Sequence, residues 1–466
     1  MRFYIIIIVI SGYAVSTKAT VWNVGPGRAY NYCSEVSNLV KDGDTIKINN
    51  AVYKNDRQVQ WTKSNLHIIG INGRPRLEAG SMIATDLSNG KGIFVTQGKN
   101  ITIENIEFSN AKVVDHNGAG IRQEGADLTI VHCKFTNNEM GILTGNIPNC
   151  TTRIESSEFS DNGSADNPGY QHNVYINHID TLIIRYNYSR DAIAEGHELK
   201  SRANVNIILY NHISNENTVD SRTIDLPNGG TTIIMGNIIE QGIHSANNNL
   251  LGYGLEGLSN TSSNSLYIVN NTFINKKNIG NFVQIQDGID TLYMKNNILA
   301  GIGSYPYSYG HSKYLDTTNN LSSIDVADFK FKNSARREYF LNQNSIAINR
   351  GVFISKKVLA YELISTRIYY DTCFVKPRTS DDRVDVGAYE YDSTTPIDLS
   401  VPARFNIFPN PTADILHFSQ PIQYSLFDLM GNLIFTGNGD QISLHNLVPG
   451  TYLLQNQSHV YKIRRF

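Results

Sequence analysis

The residues best able to do chemistry in this chain lie between positions 171 and 257, where basic, acidic, histidine and tyrosine side chains recur. They fall in four segments: QHNVYINH (171–178), EGHELKSR (195–202), DSRTIDLPNGG (220–230) and GYGLEG (252–257). An apolar residue recurs every 25 positions in the first three segments: Val174, Leu199 and Ile224. This spacing predicts three stacked strands in register, with the residue after each apolar one pointing outward. The outward row is then Tyr175, Lys200 and Asp225.

Two further groups of residues are placed beside this row. His172, His197 and Arg222 recur at the same spacing, at the entry to the three strands. Arg202 lies two residues beyond Lys200 and is expected to face the same way. The later segments add three residues to the same face: Asn228, Tyr253 and Glu256. Because neighbouring strands lie about 5 Å apart, the whole set would cover the length of two or three sugar rings.

This composition suits the cleavage of an acidic polysaccharide by β-elimination. The reaction needs a cation to neutralise the uronate carboxylate, a base to take the C5 proton, and an acid or water for the departing O4. Arg202 or Arg222 suits the first task, because a guanidinium forks onto a carboxylate. Lys200 suits the second, with His197 or Tyr175 as the alternative base or acid. The candidate catalytic residues are therefore Lys200, Arg202, His197 and His172.

The same residues also have structural explanations. Lys200 and Asp225 could form a plain salt bridge between coils, and His172 and His197 could be corner histidines bonded to the backbone. The co-location of all these groups favours a functional site. The candidate substrate-binding residues are Tyr175, Arg222, Asp225, Asn228, Tyr253 and Glu256. Asp225 and Glu256 are also hard oxygen ligands that could hold Ca²⁺, although no complete ligand set is visible and no metal is assigned.

Repeated short apolar runs supply the strands that must position these residues. Each run ends at a polar corner, and five of them close on an asparagine: Asn187, Asn211, Asn237, Asn271 and Asn297. The steps are 24, 26, 34 and 26 residues, and the step of 34 marks an inserted loop. The runs are too short for helices and rich in β-branched residues, which predicts a parallel β-helix whose corner asparagines hydrogen-bond along its axis. A β-sandwich, the alternative fold, does not explain the period.

Three motifs link this repeat to a known family. Val40–Ile46 resembles the entry motif, and Ser345–Gly351 and Asp385–Glu390 resemble the closing motifs, of right-handed β-helix proteins in the pectate lyase-like superfamily. The resemblance spans residues 20–391 and implies a right-handed parallel β-helix domain there. It says little about activity, because the superfamily holds lyases, hydrolases, epimerases, esterases and adhesins. Its lyases commonly use Lys or Arg bases, sometimes with Ca²⁺.

The chain also departs from the best-known members of that superfamily. The Arg-x-Pro-x-x-Arg pattern of the main class of pectate lyases is missing from the sequence. The paired aspartates of the pectin hydrolases are missing too, which weakens a two-carboxylate hydrolase.

Both ends of the chain carry export signals. Arg2 and the apolar run Tyr4–Ile10 are typical of a signal peptide, so residues 1–19 are expected to be removed. A polar linker at 392–403 precedes a segment, 404–466, whose alternating pattern predicts a small β-sandwich. Its strings FPNPTAD, DLMGNLI and LVPGTYLL resemble the type A sorting domain of the type IX secretion system of Bacteroidota. That resemblance implies export through the periplasm and across the outer membrane, with the type IX machinery as a partner.

Composition excludes several other classes of protein. The 466 residues include 40 Lys+Arg and 42 Asp+Glu, and a net charge of -2 excludes a global basic field for nucleic acid. Four cysteines do not make a disulfide scaffold, and Cys133 and Cys150 could form one bridge or remain buried thiols. The sequence has no P-loop, dinucleotide fingerprint, serine nucleophile elbow or zinc-protease motif.

The sequence therefore predicts an all-β protein, a right-handed parallel β-helix followed by a small C-terminal β-sandwich. The leading hypothesis is a secreted or surface-displayed, monomeric enzyme that cleaves an anionic, uronate-containing polysaccharide by β-elimination. A non-catalytic glycan-binding or adhesive β-helix is the second hypothesis. A glycoside hydrolase or C5-epimerase is the third.

Overall fold

The structure is a computed structural model, and it describes most of the chain. The described residues are 19–80, 90–261, 263–304, 311–371, 373–379, 383–391, 407–408, 410, 412, 414–428, 432–456 and 459–465. The predicted signal peptide, except its last residue, and the predicted linker at 392–403 lie outside the described residues.

Short parallel strands wind into a solenoid of about eleven coils. Successive strands along the chain enter three parallel sheets in turn, which we name sheets A, B and C in the order in which a coil meets them. Within the described part of the chain, sheet A has 12 strands, sheet B has 11 and sheet C has nine. The predicted parallel β-helix is confirmed, and the alternative β-sandwich is wrong for this part of the chain.

The strands of each sheet follow one another along the solenoid axis. Sheet A contains Val21–Val24, Thr45–Asn49, His67–Ile71, Ile101–Glu104, Leu128–Val131, Ile147–Glu155, Ile179–Arg185, Val205–Leu209, Thr231–Met235, Ser265–Val269, Ile289–Lys295 and Ser312–Asp316. Sheet B contains Val52–Lys54, Arg76–Glu78, Glu107–Ser109, Lys134–Thr136, Glu158–Ser160, Tyr188–Arg190, His212–Ser214, Ile238–Gln241, Thr272–Asn275, Ile298–Gly301 and Leu321–Ser323. Sheet C contains Val59–Trp61, Gly92–Thr96, Ala119–Gln123, Met140–Thr144, Val174–Ile176, Leu199–Ser201, Ile224–Leu226, Asn249–Tyr253 and Asn281–Ile285.

The core of the solenoid consists of inward side chains that repeat from coil to coil. In sheet B the ring centroids of Phe108 and Phe135 lie 5.2 Å apart, and those of Phe135 and Phe159 lie 4.9 Å apart, with both pairs stacked. All three rings are buried. Stacked rings of this kind bury large apolar surfaces, so each coil is stabilised mainly by its neighbours.

An asparagine ladder runs along one corner of the solenoid, as the sequence predicts. Each asparagine side chain donates through Nδ2 to Oδ1 of the next one, with distances of 2.8 to 3.0 Å. The ladder consists of Asn187, Asn211, Asn237, Asn271, Asn297 and Asn320. The same amides also donate to backbone carbonyls of the preceding coil, as Asn237 does to Ile208 at 2.9 Å. The corner can therefore be buried without leaving polar groups unpaired.

The entry and closing motifs anchor the two ends of the solenoid. Asp44 accepts hydrogen bonds from the backbone of Thr20 at 2.7 Å and from the indole of Trp22 at 2.8 Å. At the other end, the buried Arg378 side chain donates to Glu390 at 2.7 Å and to the carbonyl of Asp385 at 3.0 Å. The hydrogen bonds of Asp44 and Glu390 thus give the acidic residues of the two motifs a structural role.

The remaining elements are short and lie outside the three sheets. In the described part of the chain, the helices are an α-helix at Cys33–Val36 and 3-10 helices at Val326–Phe329 and Ser334–Arg336. The same part of the chain forms three two-stranded antiparallel pairs: Phe331–Asn333 with Glu338–Leu341, Lys357–Val358 with Tyr361–Glu362, and Arg367–Asp371 with Phe374–Pro377. Among the described residues, no helix has the length and apolar character needed to cross a membrane. All four cysteines are buried and free, so Cys133 and Cys150 are thiols.

The C-terminal segment is a separate antiparallel β-structure. Its strands are Ile407–Phe408, Ile415–Phe427, Leu433–Ser443, Gly450–Asn456 and His459–Arg465. Its own apolar cluster includes Leu416, Leu426, Leu454 and Ile463, which are completely buried. The predicted all-β character of the tail is confirmed.

We predict that replacing one asparagine of the ladder destabilises the whole solenoid. Asn237→Ala leaves the Asn211 backbone N–H and the Ile208 carbonyl without their present side-chain partner, and it removes the amide bonds to the side chains of Asn211 and Asn271. Each such buried group costs about 1–3 kcal/mol, and urea unfolding should show a loss of that order or more. Asn217→Ala, at an exposed position, is the matched control. Equal stability of the two variants would contradict a structural role for the ladder.

Candidate functional site

The outward row on sheet C has the register that the sequence predicts. Tyr175 pairs with Lys200, and Lys200 pairs with Asp225, in neighbouring parallel strands. Val174 and Ile176 on either side of Tyr175 point inward and are completely buried. Strand alternation therefore places a tyrosine, a lysine and an aspartate one above the other on the outside of the solenoid.

Lys200 lies between two carboxylates. Its Nζ is 3.5 Å from Asp225 Oδ2 and 3.3 Å from Glu256 Oε1, and its side chain is only 12% exposed. The ammonium is also 5.8 Å from the centre of the Tyr175 ring, within reach of a cation–π interaction. The predicted Lys200–Asp225 ion pair is thus present, and Glu256 joins it from the next coil.

All three side-chain nitrogens of Arg202 donate hydrogen bonds. Nε donates to Tyr175 Oη at 3.0 Å, Nη1 donates to Asn228 Oδ1 at 2.6 Å, and Nη2 donates to Glu256 Oε2 at 2.7 Å. Asn228 is itself held by a hydrogen bond from its Nδ2 to Ser259 Oγ at 2.9 Å. The guanidinium is therefore fixed in one orientation across the outward row.

Arg222 and Asp225 form a further ion pair of this face. Arg222 Nη1 donates to Asp225 Oδ1 at 3.2 Å, and the Asp225 side chain is only 2% exposed. The Arg222 side chain passes over Gly252, where an added Cβ would lie 2.9 Å from Arg222 Cδ and Nε. A side chain at position 252 would therefore displace Arg222, which explains why the outward position of this coil is a glycine.

The two histidines lie beneath this face rather than on it. His172 and His197 are 2% and 5% exposed, and their rings stack with centroids 4.9 Å apart. His172 Nδ1 accepts from the backbone N–H of His197 at 3.0 Å, and His197 Nδ1 accepts from that of Arg222 at 3.1 Å. For His172 this bond assigns the proton of the neutral ring to Nε2, whereas His197 Nδ1 lies near both the N–H and, at 3.2 Å, the carbonyl of Arg222.

Burial also determines the charge state of the histidines. It lowers the pKa of His197 to about 4; Asp225 opposes this shift, whereas Lys200 and Arg222 add to it. Burial, with the neighbouring His197, holds the pKa of His172 well below its ordinary value. Both rings are thus covered, neutral and bonded to the backbone, and the catalytic role of His172 and His197 stays a prediction.

The structure places Tyr253 in the core and not on the outward face, where the sequence predicted it among the substrate-binding residues. Its side chain is completely buried, and its hydroxyl donates to the carbonyl of Gly230. In its strand, Gly252 takes the outward position opposite Asp225, so Tyr253 points into the core beside Leu226. The alternation of this strand explains the difference.

The carboxylates of this face do not fit a Ca²⁺ site. Asp225 directs its oxygens at Arg222, Lys200 and His197, and both oxygens of Glu256 are bonded to cationic side chains. Ca²⁺ needs six to eight oxygen ligands, and the Lys200 ammonium already lies between the two acids. Within the described ranges, no group of three or more His, Cys, Asp or Glu residues is arranged to hold a metal ion.

Sequence reasoning missed one buried residue that supports the site. Glu198 precedes the strand that carries Lys200; its Oε1 accepts from the backbone of Ala192 at 2.8 Å and its Oε2 accepts from Asn173. Burial, followed by the charge of Asp220, raises the pKa of Glu198 well above its ordinary value. The 25-residue spacing between Asn173 and Glu198 was the available signal, since it matches that of the outward row.

Comparisons with known proteins bear on the tail and on the fold. Residues 406–465 match the family described as "Secretion system C-terminal sorting domain". A search of curated protein sequences found no match. Among solved structures, pectate lyase Pel9A is similar, with a TM-score of 0.52 and 13% identity over 81% of this chain and 98% of that one. A pectin methylesterase from Aspergillus niger was also found, with a TM-score of 0.31 and 11% identity over 70% of this chain and 90% of that one.

The family match and the likeness to Pel9A confirm the predicted tail and fold. The likeness to Pel9A, at 13% identity, shows a shared β-helix fold. The sorting domain directs the chain to the type IX secretion system, and the protein is exported to the cell surface or beyond it. The predicted localisation is confirmed.

We predict that His197 stays neutral down to about pH 4. An unfolded histidine binds its proton near pH 6.5, so stability falls as the pH drops from about 6.5 to 4, by up to about 1.4 kcal/mol per pH unit. NMR titration of ¹⁵N-histidine-labelled protein, folded and unfolded in urea, measures the pKa of His197 in each state. The His197→Gln variant assigns the signal. Titration of the folded signal near pH 6.5 would contradict the buried, neutral state of the His197 ring.

Proposed function

We propose that this protein binds an acidic, uronate-containing polysaccharide and cleaves it by β-elimination. The proposed site is the outward surface of sheet C formed by Tyr175, Lys200, Arg202, Arg222, Asp225 and Glu256, which we call the cationic face. The observation that carries the proposal is the charge of this face. Three cationic side chains meet only two carboxylates, and the histidines below are neutral.

The local charge stands out against the rest of the chain. The protein as a whole has a net charge of -2, so the positive cationic face is a local arrangement. Its cations are 12% to 21% exposed, which weakens the competition from water and salt for an anionic ligand. Export beyond the cell places the protein where extracellular polysaccharides are found.

The fixed guanidinium and the central lysine suit the steps of β-elimination. Arg202 neutralises the uronate carboxylate, which makes the C5 proton more acidic. Lys200, once its amine is free, takes that proton as the C5–H bond breaks. The C4–O4 bond then breaks as the C4=C5 double bond forms, and water or the Tyr175 hydroxyl gives a proton to the leaving oxygen.

The other two hypotheses predict different products. A hydrolase of the two-carboxylate type needs an accessible second acid, and Asp225 is 2% exposed and paired with cations. An epimerase would use the same proton abstraction and return a proton without breaking the chain. A binding module would retain the polysaccharide and leave it intact.

We predict that Lys200→Ala and Arg202→Ala lower the rate of formation of unsaturated product by at least about 100-fold, as expected for loss of a general base or a charge-stabilising group. The assay is absorbance near 235 nm with alginate, pectate, glucuronan and glycosaminoglycans. Lys134→Ala removes a cation of sheet B that pairs with Glu107, and is the matched control. Thermal unfolding of each variant checks the fold, which should survive because no core volume is lost.

Each of the other outcomes points to a different function. A flat trace with every polymer, together with new reducing ends, would replace the lyase by a hydrolase. Retention of a polymer on the protein without any product would favour the binding module. Loss of folding in Lys200→Ala would make the Lys200–Asp225 pair a purely structural salt bridge.

A further inference from the structure

We infer that Glu256 is a built-in competitor for the substrate: its carboxylate occupies the place that a substrate carboxylate must take, and an anionic sugar displaces it. The inference rests on the proposed function and names the feature that gives the site its selectivity for free carboxylates. Glu256 thereby becomes a specificity-determining residue rather than a substrate-binding one.

The first support is the geometry of the Glu256 carboxylate. Oε1 lies 3.3 Å from Lys200 Nζ, and Oε2 lies 2.7 Å from Arg202 Nη2. One carboxylate therefore bridges the two side chains assigned to carboxylate binding and proton abstraction. A uronate carboxylate at the same place would make the same two contacts.

The second support is the contrast between the two acids of the cationic face. Asp225 is 2% exposed and enclosed by Arg222, Lys200 and His197, whereas the Glu256 side chain is 48% exposed. Partial burial opposes ionisation, but hydrogen bonds and charges of Arg202 and Lys200 hold the pKa of Glu256 below its ordinary value. Glu256 is therefore a charged, accessible partner of Lys200 and Arg202 that a ligand can displace. Asp225 is an enclosed partner of Lys200 and Arg222 that stays in place.

The third support is the way in which Glu256 is attached to the fold. Its backbone N–H donates to the carbonyl of Pro227 at 2.9 Å, and the turn is closed by a bond from Gly257 N–H to the Gly254 carbonyl at 2.9 Å. Both glycines have positive φ, 74° and 110°. The backbone of the turn is thus held in place, and displacement needs only rotation of an exposed side chain towards solvent.

Displacement has a chemical consequence for Lys200. While Glu256 is in place, the Lys200 ammonium lies between two protein carboxylates, 3.5 Å from Asp225 and 3.3 Å from Glu256. When a substrate carboxylate takes the place of Glu256, Lys200 keeps two carboxylate neighbours, but one of them now belongs to the sugar, so the lysine lies beside the ring from which it takes the proton. Only an anion can make this exchange, because a neutral or esterified sugar offers nothing to replace the lost ion pairs.

The test is Glu256→Gln, which keeps the size of the side chain and removes its charge. We expect KM, or Kd where binding is measured directly, to fall about 2- to 5-fold for the anionic polymer. A change of this size corresponds to the loss of one partly exposed ion pair with which the substrate competes. Dextran, a neutral polymer, should show no gain. Glu362→Gln makes the same charge change at an exposed pair with Lys357 and is the matched control. Glu256→Ala serves as the second variant if the amide forms new hydrogen bonds.

The outcomes separate this inference from the proposed function. The probes are polygalacturonate, alginate and dextran, with the full exported chain. If the unaltered protein binds a polyanion and both Glu256 variants bind it no better or more weakly than the control, Glu256 is not a competitor, although the proposed function stands. If neither the unaltered protein nor any variant binds or cleaves a polyanion, the proposed function fails and the inference fails with it.

Discussion

The constraint on which this structure depends is that each coil must satisfy the buried polar groups of the coils on either side of it. A solenoid buries its corners as well as its apolar strands, so an amide at one corner needs a partner one coil further on. The ladder from Asn187 to Asn320 meets this need with one repeated hydrogen bond. Because that bond requires fixed stacking, it also holds every outward side chain in a defined column.

The cationic face is a product of the same stacking. The period that aligns the ladder places Tyr175, Lys200 and Asp225 in one column, and His172 and His197 in another beside it. This is why the register of the site could be predicted from spacing alone. The fold was predictable for the same reason, since the period is visible in the types of side chain.

The parts that could not be predicted are those that depend on the path of the chain at a corner or a turn. Spacing indicates that His172 and His197 stack, but not that the corner turns their rings under the face. The inward direction of Tyr253 depends on where its strand begins, and GYGLEG contains no alternation that shows this. The contact of Glu256 with Lys200 and Arg202 depends on how an inserted turn folds back over an earlier coil.

The step from Asn237 to Asn271 shows how such a protein can change over evolutionary time. It contains 34 residues, yet the hydrogen bond between the two side chains is 2.9 Å, the same as for the shorter step from Asn211 to Asn237. The extra residues leave the solenoid as a surface turn, and Glu256 belongs to that turn. Insertions and deletions at this point leave the asparagine ladder unchanged and fall directly on the face that would meet a ligand. Related chains could gain or lose an acidic turn, and with it a ligand preference, by a change in length alone.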